Sequence, residues 1–274
     1  MLALLAPLAF ALFLWWFSTG LILWLDRLPR ATHGWSFAAA TGLAAWGCFA
    51  IADTANAATG ANAYIAFVAA LAVWGWHEMS FLMGFIAGPR TSACPQGAEG
   101  WSRFKLAAAT VIHHELALAA TLIALIALSW GQPNQIAALT FGLLWAMRLS
   151  AKFNLFLGAP HRSEAFLPAH MAYLASYFRD QRMNGLFPVS MAFGMAACLA
   201  FASIAFAPDA TGHERVGYSL LVAMASLALL EHAFMFVANP NDVLWRWALP
   251  RTVRASQDRR SRLPSSRAAQ RPNQ

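Results

Sequence analysis

His113, His114 and Glu115 stand together inside an otherwise apolar run from Leu106 to Trp130. Imidazoles and carboxylates bind metals and carry protons, so this trio could do chemistry. At about 1.5 Å per residue the run matches a hydrocarbon core of roughly 30 Å, which places the trio at mid-membrane. A charged group there costs about 2.5 to 3.5 kcal/mol and persists only with partners or a wet cavity. Similar polar groups interrupt other apolar runs: His77-Glu78, Glu231-His232, and the basic pair Arg148 and Lys152, four residues apart. These nine residues form a candidate intramembrane polar layer, for a pigment, a metal or a proton.

Three readings of the layer stay open. Its members could simply hydrogen-bond across helices and fix their register, each pair contributing about 0.6 to 2 kcal/mol. They could hold a metal ion, although di-iron bundles use Glu-x-x-His, whose members share a helix face, whereas the adjacent pairs here diverge by about 100°. No HExxH is present either. A neutral imidazole among small residues could also ligate a tetrapyrrole; His114, beside Ala107, Thr110, Ala117 and Thr121, and His232, beside Ala225, Ala228 and Asn239, have such faces. Catalytic residues are not assigned. Glu115 points away from the His114 stripe, so the helix carrying both is expected to be central in the bundle. His33, His161, His170 and His213 fall in connections and are expected to be solvated.

The elements that must position these groups are membrane spans. The chain has 274 residues, of which 59% are hydrophobic and 11% charged. A soluble domain carries about 25% charged residues, so the composition is that of a polytopic membrane protein. Spans are expected at Leu2–Leu25, Trp35–Asn56, Ala63–Ala87, Leu106–Trp130, Gln135–Leu157, Leu186–Phe206 and from His213 to about Asn239. The first reads as a retained span, since it lacks a basic leader and a small-residue cleavage site. A short amphipathic helix at the interface is expected over roughly Pro168 to Phe178. The fold class is thus all-α: a seven-helix transmembrane bundle over residues 1–239, followed by an Arg-rich tail over 240–274 that cannot bury a core.

Charge and cysteine usage exclude other classes. The net charge is +7, but eight arginines fall between Arg246 and the C-terminus, and membrane topology accounts for them without nucleic acid. Cys48, Cys94 and Cys198 are isolated, which supports neither a disulfide framework nor a zinc ribbon.

The stretch Arg148-Leu-Ser-Ala-Lys-Phe-Asn-Leu-Phe-Leu-Gly-Ala-Pro160, with Phe166-Leu-Pro-Ala-His170, Tyr173-Leu-Ala-Ser-Tyr-Phe178 and Met183-Asn-Gly-Leu-Phe-Pro-Val-Ser190, resembles the PuhE-type photosynthetic complex assembly proteins of purple bacteria. His113-His-Glu-Leu-Ala117, Trp15-Trp-Phe-Ser-Thr-Gly20 and Trp24-Leu-Asp-Arg-Leu-Pro29 are similar as well, so the likeness covers nearly all of the chain before the tail. The resemblance implies an inner-membrane protein of anoxygenic phototrophs. Its implied partners are reaction-centre or light-harvesting subunits and their pigments, and its implied role is their assembly or bacteriochlorophyll supply. The rival reading from the residues is a metal-dependent membrane oxidoreductase acting on a tetrapyrrole or isoprenoid.

Basic residues gather after spans one, three and five and in the tail, which orients the N-terminus to the periplasm and the C-terminus to the cytoplasm. Reporter fusions after Arg30, Glu99, His161 and Pro250 are expected to report cytoplasm, and a periplasmic signal at any of the four would overturn this orientation.

Overall fold

Long apolar stretches punctuated by Gly, Pro and Asn turns fold as helices because in hydrocarbon each backbone N–H must be bonded within its own segment. The computed structural model describes residues 2–160 and 167–236. They form α1 (Leu2–Asp26), α2 (Arg30–Thr54), α3 (Gly60–Leu82), α4 (Gly100–Ala108), α5 (Ile112–Ser129), α6 (Ile136–Leu157), a 3-10 helix (Ala169–Tyr177), α7 (Leu186–Ala205) and α8 (Gly212–Phe234), with no strand among them. Seven are long and apolar enough to cross a membrane; α4 and the 3-10 helix are the exceptions. The expected all-α, seven-span architecture is therefore present. His161, Asn239 and the tail lie outside the described residues.

The centre of the bundle is α3, which corrects the expectation that the His113–Glu115 helix is central. Ala63, Ala66, Phe67, Ala69, Ala70 and Val73 of α3 are buried in one core with Phe141 of α6 and Leu220, Leu221 and Met224 of α8. Small residues let backbones approach. A Cβ on Gly47 of α2 would lie 2.8 Å from the Ala69 carbonyl oxygen, so those helices touch with nothing between them. By contrast α5 presents Leu116, Ile123 and Leu128 outward and buries Leu118 and Leu125.

The fourth span also differs in extent. It does not run unbroken from Leu106 to Trp130: α4 ends at Ala108 and α5 begins at Ile112. The cause is the chain returning from α3. Arg90 donates its backbone N–H to the Ala109 carbonyl at 3.1 Å, and the Ala87 carbonyl accepts from His114 N at 2.9 Å, taking over groups that a continuous helix would bond internally. His113, His114 and Glu115 consequently occupy the first turn of a shorter span and not its middle. At the same end of the bundle lie the C-termini of α1, α3, α6 and α8.

The connection after α6 holds a 3-10 helix where an amphipathic interfacial helix was expected. Met171, Leu174 and Tyr177 are its buried residues, a spacing of three that matches three residues per turn. The expectation of solvated histidines fails at two places. His33 is buried with Nε2 at 3.1 Å from the Leu28 carbonyl, and His213 is buried with Nδ1 at 3.2 Å from that of Thr59. His170 is half-buried, and burial lowers its proton affinity below the usual imidazole range, with Arg30 adding repulsion.

A Cβ at Gly88 would stand 2.3 Å from the Ala109 carbonyl oxygen, a separation that only backbone movement could relieve. Gly88→Ala should therefore destabilise the protein by about 1 to 3 kcal/mol, the usual cost of overpacking. Thermal unfolding in detergent measures this, and an unchanged midpoint would show that the contact between this segment and the α4–α5 break yields freely.

Candidate functional site: a charged cavity at one end of the bundle

Two ion pairs organise the polar residues. Arg148 of α6 donates from Nη2 to Glu78 Oε2 of α3 at 3.2 Å. One turn further along α6, Lys152 donates to Glu115 Oε1 of α5, whose second oxygen accepts from Trp145 Nε1 at 3.0 Å. The α4–α5 break makes the second pair reachable, because it brings Glu115 to the end of the bundle where α6 presents Lys152. Lys152 also lies 5.2 Å from the centre of the Phe81 ring.

The nine candidate residues divide into separate groups. Arg148, Lys152, Glu115 and Glu231 line a common cavity, and Glu78 reaches it through Arg148. His77 bonds Thr121 Oγ1 of α5 through Nε2 at 2.9 Å, and its ring lies 6.4 Å from that of His114. His114 is fully buried, 4.6 Å from the Phe81 ring, and lines neither cavity described here. Neither of its ring nitrogens has a partner among the described residues. His113 is exposed on the outer face of α5. His232 joins another network: Nε2 meets Ser150 Oγ at 3.1 Å, Nδ1 meets the Ala228 carbonyl at 2.9 Å, and Ser150 donates to Ser190 Oγ of α7 at 2.8 Å. Asn154 joins that network through Ser190 at 2.9 Å.

The cavity has a volume of about 520 Å³ and lies between α1, α3, α5, α6 and α8. Such a volume is within the roughly 300 to 1,000 Å³ of small-molecule sites. Arg148 and Glu231 also border a smaller cavity of about 150 Å³ lined by Trp15, Trp74 and Glu78, so the guanidinium stands between the two spaces. Arg148 keeps 43% of its side-chain surface accessible and has one hydrogen bond among the described residues. Glu231 is also exposed toward the cavities.

Sequence reasoning missed the roof of this cavity. It is built from α4 and the 3-10 helix, and Tyr177 is its junction. The Tyr177 hydroxyl accepts from Arg90 Nε at 2.6 Å and donates to the Ser92 carbonyl at 3.1 Å, while the Tyr177 carbonyl accepts from Arg103. Arg103 further bonds the Phe156 carbonyl at 3.2 Å and lies 4.3 Å from the centre of the Phe156 ring. Burial lowers the proton affinity of its guanidinium, and nearby Arg179 lowers it further. The signal in the sequence was the cluster Arg103, Phe104, Lys105 at the head of an apolar run, too polar to continue the span.

The arrangement can bind and orient a molecule that is mostly apolar and carries polar atoms at one place. Among the described residues no three His, Cys, Asp or Glu side chains converge in a way that could hold a metal ion.

The chain belongs to a family described as "Protein of unknown function (DUF3623)", whose sequence model matches residues 1–256. It is 40% identical over 247 residues, 87% of this chain and 88% of the relative, to a protein of Rhodobacter capsulatus described as "Uncharacterized 30.4 kDa protein in puhA 5'region". No solved structure matches it.

Breaking the Lys152–Glu115 pair should strand a cation in an apolar wall. Glu115→Leu is expected to cost about 3 kcal/mol, the low end for a buried pair because both groups keep some exposure to the cavity. Lys152→Met in the same chain should restore most of that loss. Thermal unfolding of both single variants and the double variant tests this, and purely additive losses would show that the two groups do not interact.

Proposed function

We propose that this chain is an integral membrane factor of anoxygenic phototrophs that serves assembly of the photosynthetic reaction centre and light-harvesting complexes, or supplies bacteriochlorophyll to them. The observation that carries this reading is the relative located 5′ of puhA, in a photosynthesis gene region, matched along most of both chains. The PuhE-type resemblance in the sequence points the same way. The seven apolar helices suit a multi-pass protein, and the basic residues Arg27, Arg30, Arg90, Arg103, Lys105, Arg179 and Arg182, all at the cavity end, favour placing that end at the cytoplasmic face of the inner membrane.

The geometry favours handling a ligand over catalysis at a metal. Glu78 and Glu115 each give an oxygen to Arg148 and Lys152, and His77 and His232 spend nitrogens on Thr121 and Ser150. A cavity with apolar walls and an oriented polar edge is what a carrier or chaperone of an apolar cofactor requires.

Deleting the gene in a phototrophic host should lower reaction-centre and light-harvesting absorbance per unit membrane, with recovery on complementation. Accumulation of bacteriochlorophyll precursors would assign the defect to pigment supply, and free pigment without complexes would assign it to assembly. Normal complex levels in the deletion strain would overturn the reading.

A further inference from the structure

The large cavity is not lined uniformly. Phe81, Phe104, Phe153, Phe156, Tyr177 and Phe178 give it aromatic walls, and Arg148 with Glu231 gives it a polar floor. Floor and roof are well separated, because Arg148 and Phe156 are eight positions apart on α6, about 12 Å along the axis. Arg148 and Glu231 lie at the inner end, the mutually paired Glu115 and Lys152 lie in the wall beside Phe81, and Phe104, Phe156, Tyr177 and Phe178 lie toward the membrane end. A bilayer lipid entering from that end would place its head group against Phe156 and Tyr177 and its chains on the charges, which is the wrong way round.

A guanidinium has five N–H donors in a planar fork. Arg148 spends one nitrogen on Glu78, so donors remain for the cavity. Those donors call for an oxygen acceptor at the inner end of the occupant. Aromatic walls favour a flat π-system, since offset and edge-on ring contacts add to area burial. Glu231 can accept from a hydroxyl or ring N–H beside that oxygen.

We propose that the cavity binds a planar conjugated ring bearing carbonyl oxygens, with a carbonyl on Arg148 and the ring between Phe81, Phe153 and Phe156. Two sources share this chemistry, a quinone and a tetrapyrrole pigment. In choosing them as probes we rest on the photosynthetic reading above.

The test uses the full chain, purified in detergent and titrated with a decyl-substituted benzoquinone and, separately, with methyl pyropheophorbide, with hexadecanol as a ring-free control. Saturable binding of at least one ring compound is expected, and whichever binds identifies the source. Arg148→Lys keeps a charge opposite Glu78 but loses the fork and should weaken binding about tenfold, as for one charge-assisted hydrogen bond. Ala108→Phe narrows the cavity from α4 at a residue that belongs to neither ion pair and should weaken it at least as much. The unfolding midpoint of each variant confirms that it is folded. Absence of saturable ring binding, unchanged affinity in both folded variants, or equal affinity for hexadecanol would each overturn the proposal. Loss of ring binding with complex levels still dependent on the gene would remove the ligand and leave the photosynthetic reading. Ring binding with normal complex levels in the deletion strain would do the reverse.

Discussion

Hydrocarbon supplies no hydrogen bonds, and the backbone at the start of α5 meets that constraint in an unusual way. A helix broken at Ala109 to Val111 exposes N–H and carbonyl groups that would be costly in lipid. Here the segment after α3 doubles back and bonds them, donating from Arg90 N to the Ala109 carbonyl and accepting from His114 N at the Ala87 carbonyl. The break can then exist, α4 can swing out of the span, and Glu115 falls beside Lys152. Without it the apolar run would continue past Ala108, its polar trio would sit at mid-membrane, and α4 could not roof the cavity.

The same constraint sorts the charged side chains. Glu115 is fully engaged, with one oxygen on Lys152 and the other on Trp145. Glu78 is half engaged: Oε2 takes Arg148, and Oε1 is buried with no partner among the described residues. Adjacent to it, His77 Nδ1 is likewise unpartnered. Unsatisfied atoms thus gather where α3 meets α5, on Glu78, His77 and His114, whereas the Glu115 carboxylate is closed. Arg148, with one hydrogen bond to Glu78 and a face on the cavity, keeps donors to offer a third molecule.

Much of the fold was legible because membrane spans are decided by composition over about twenty residues, and neither a pocket nor a partner is needed to recognise them. The seven spans and the reversal at Gly131 to Gln135 follow from that rule. What was not legible depended on contacts far apart in the chain. Nothing between Leu106 and Trp130 is a helix breaker; the break comes from Ala87 and Arg90 and from the room that Gly88 leaves. Depth arguments then misplaced His113 to Glu115 by about half a span. The candidate residues were chosen by type, and types alone could not separate Glu115, bonded to Lys152, from His113, which faces outward, or from His232, held by Ser150 and Ala228.

His114 carries the last step. Its position among small residues suggested an open face for a macrocycle, yet the ring is fully buried beside Phe81 and lines neither cavity. What it contributes lies in its backbone, since its N–H is the donor that Ala87 accepts at the break. Phe81 touches that imidazole on one side and faces the cavity on the other, so the residue that holds the break also backs the cavity wall. The polar trio that drew attention in the sequence therefore acts at two removes. Glu115 holds Lys152 in the wall, and His114 holds the break that put Glu115 there.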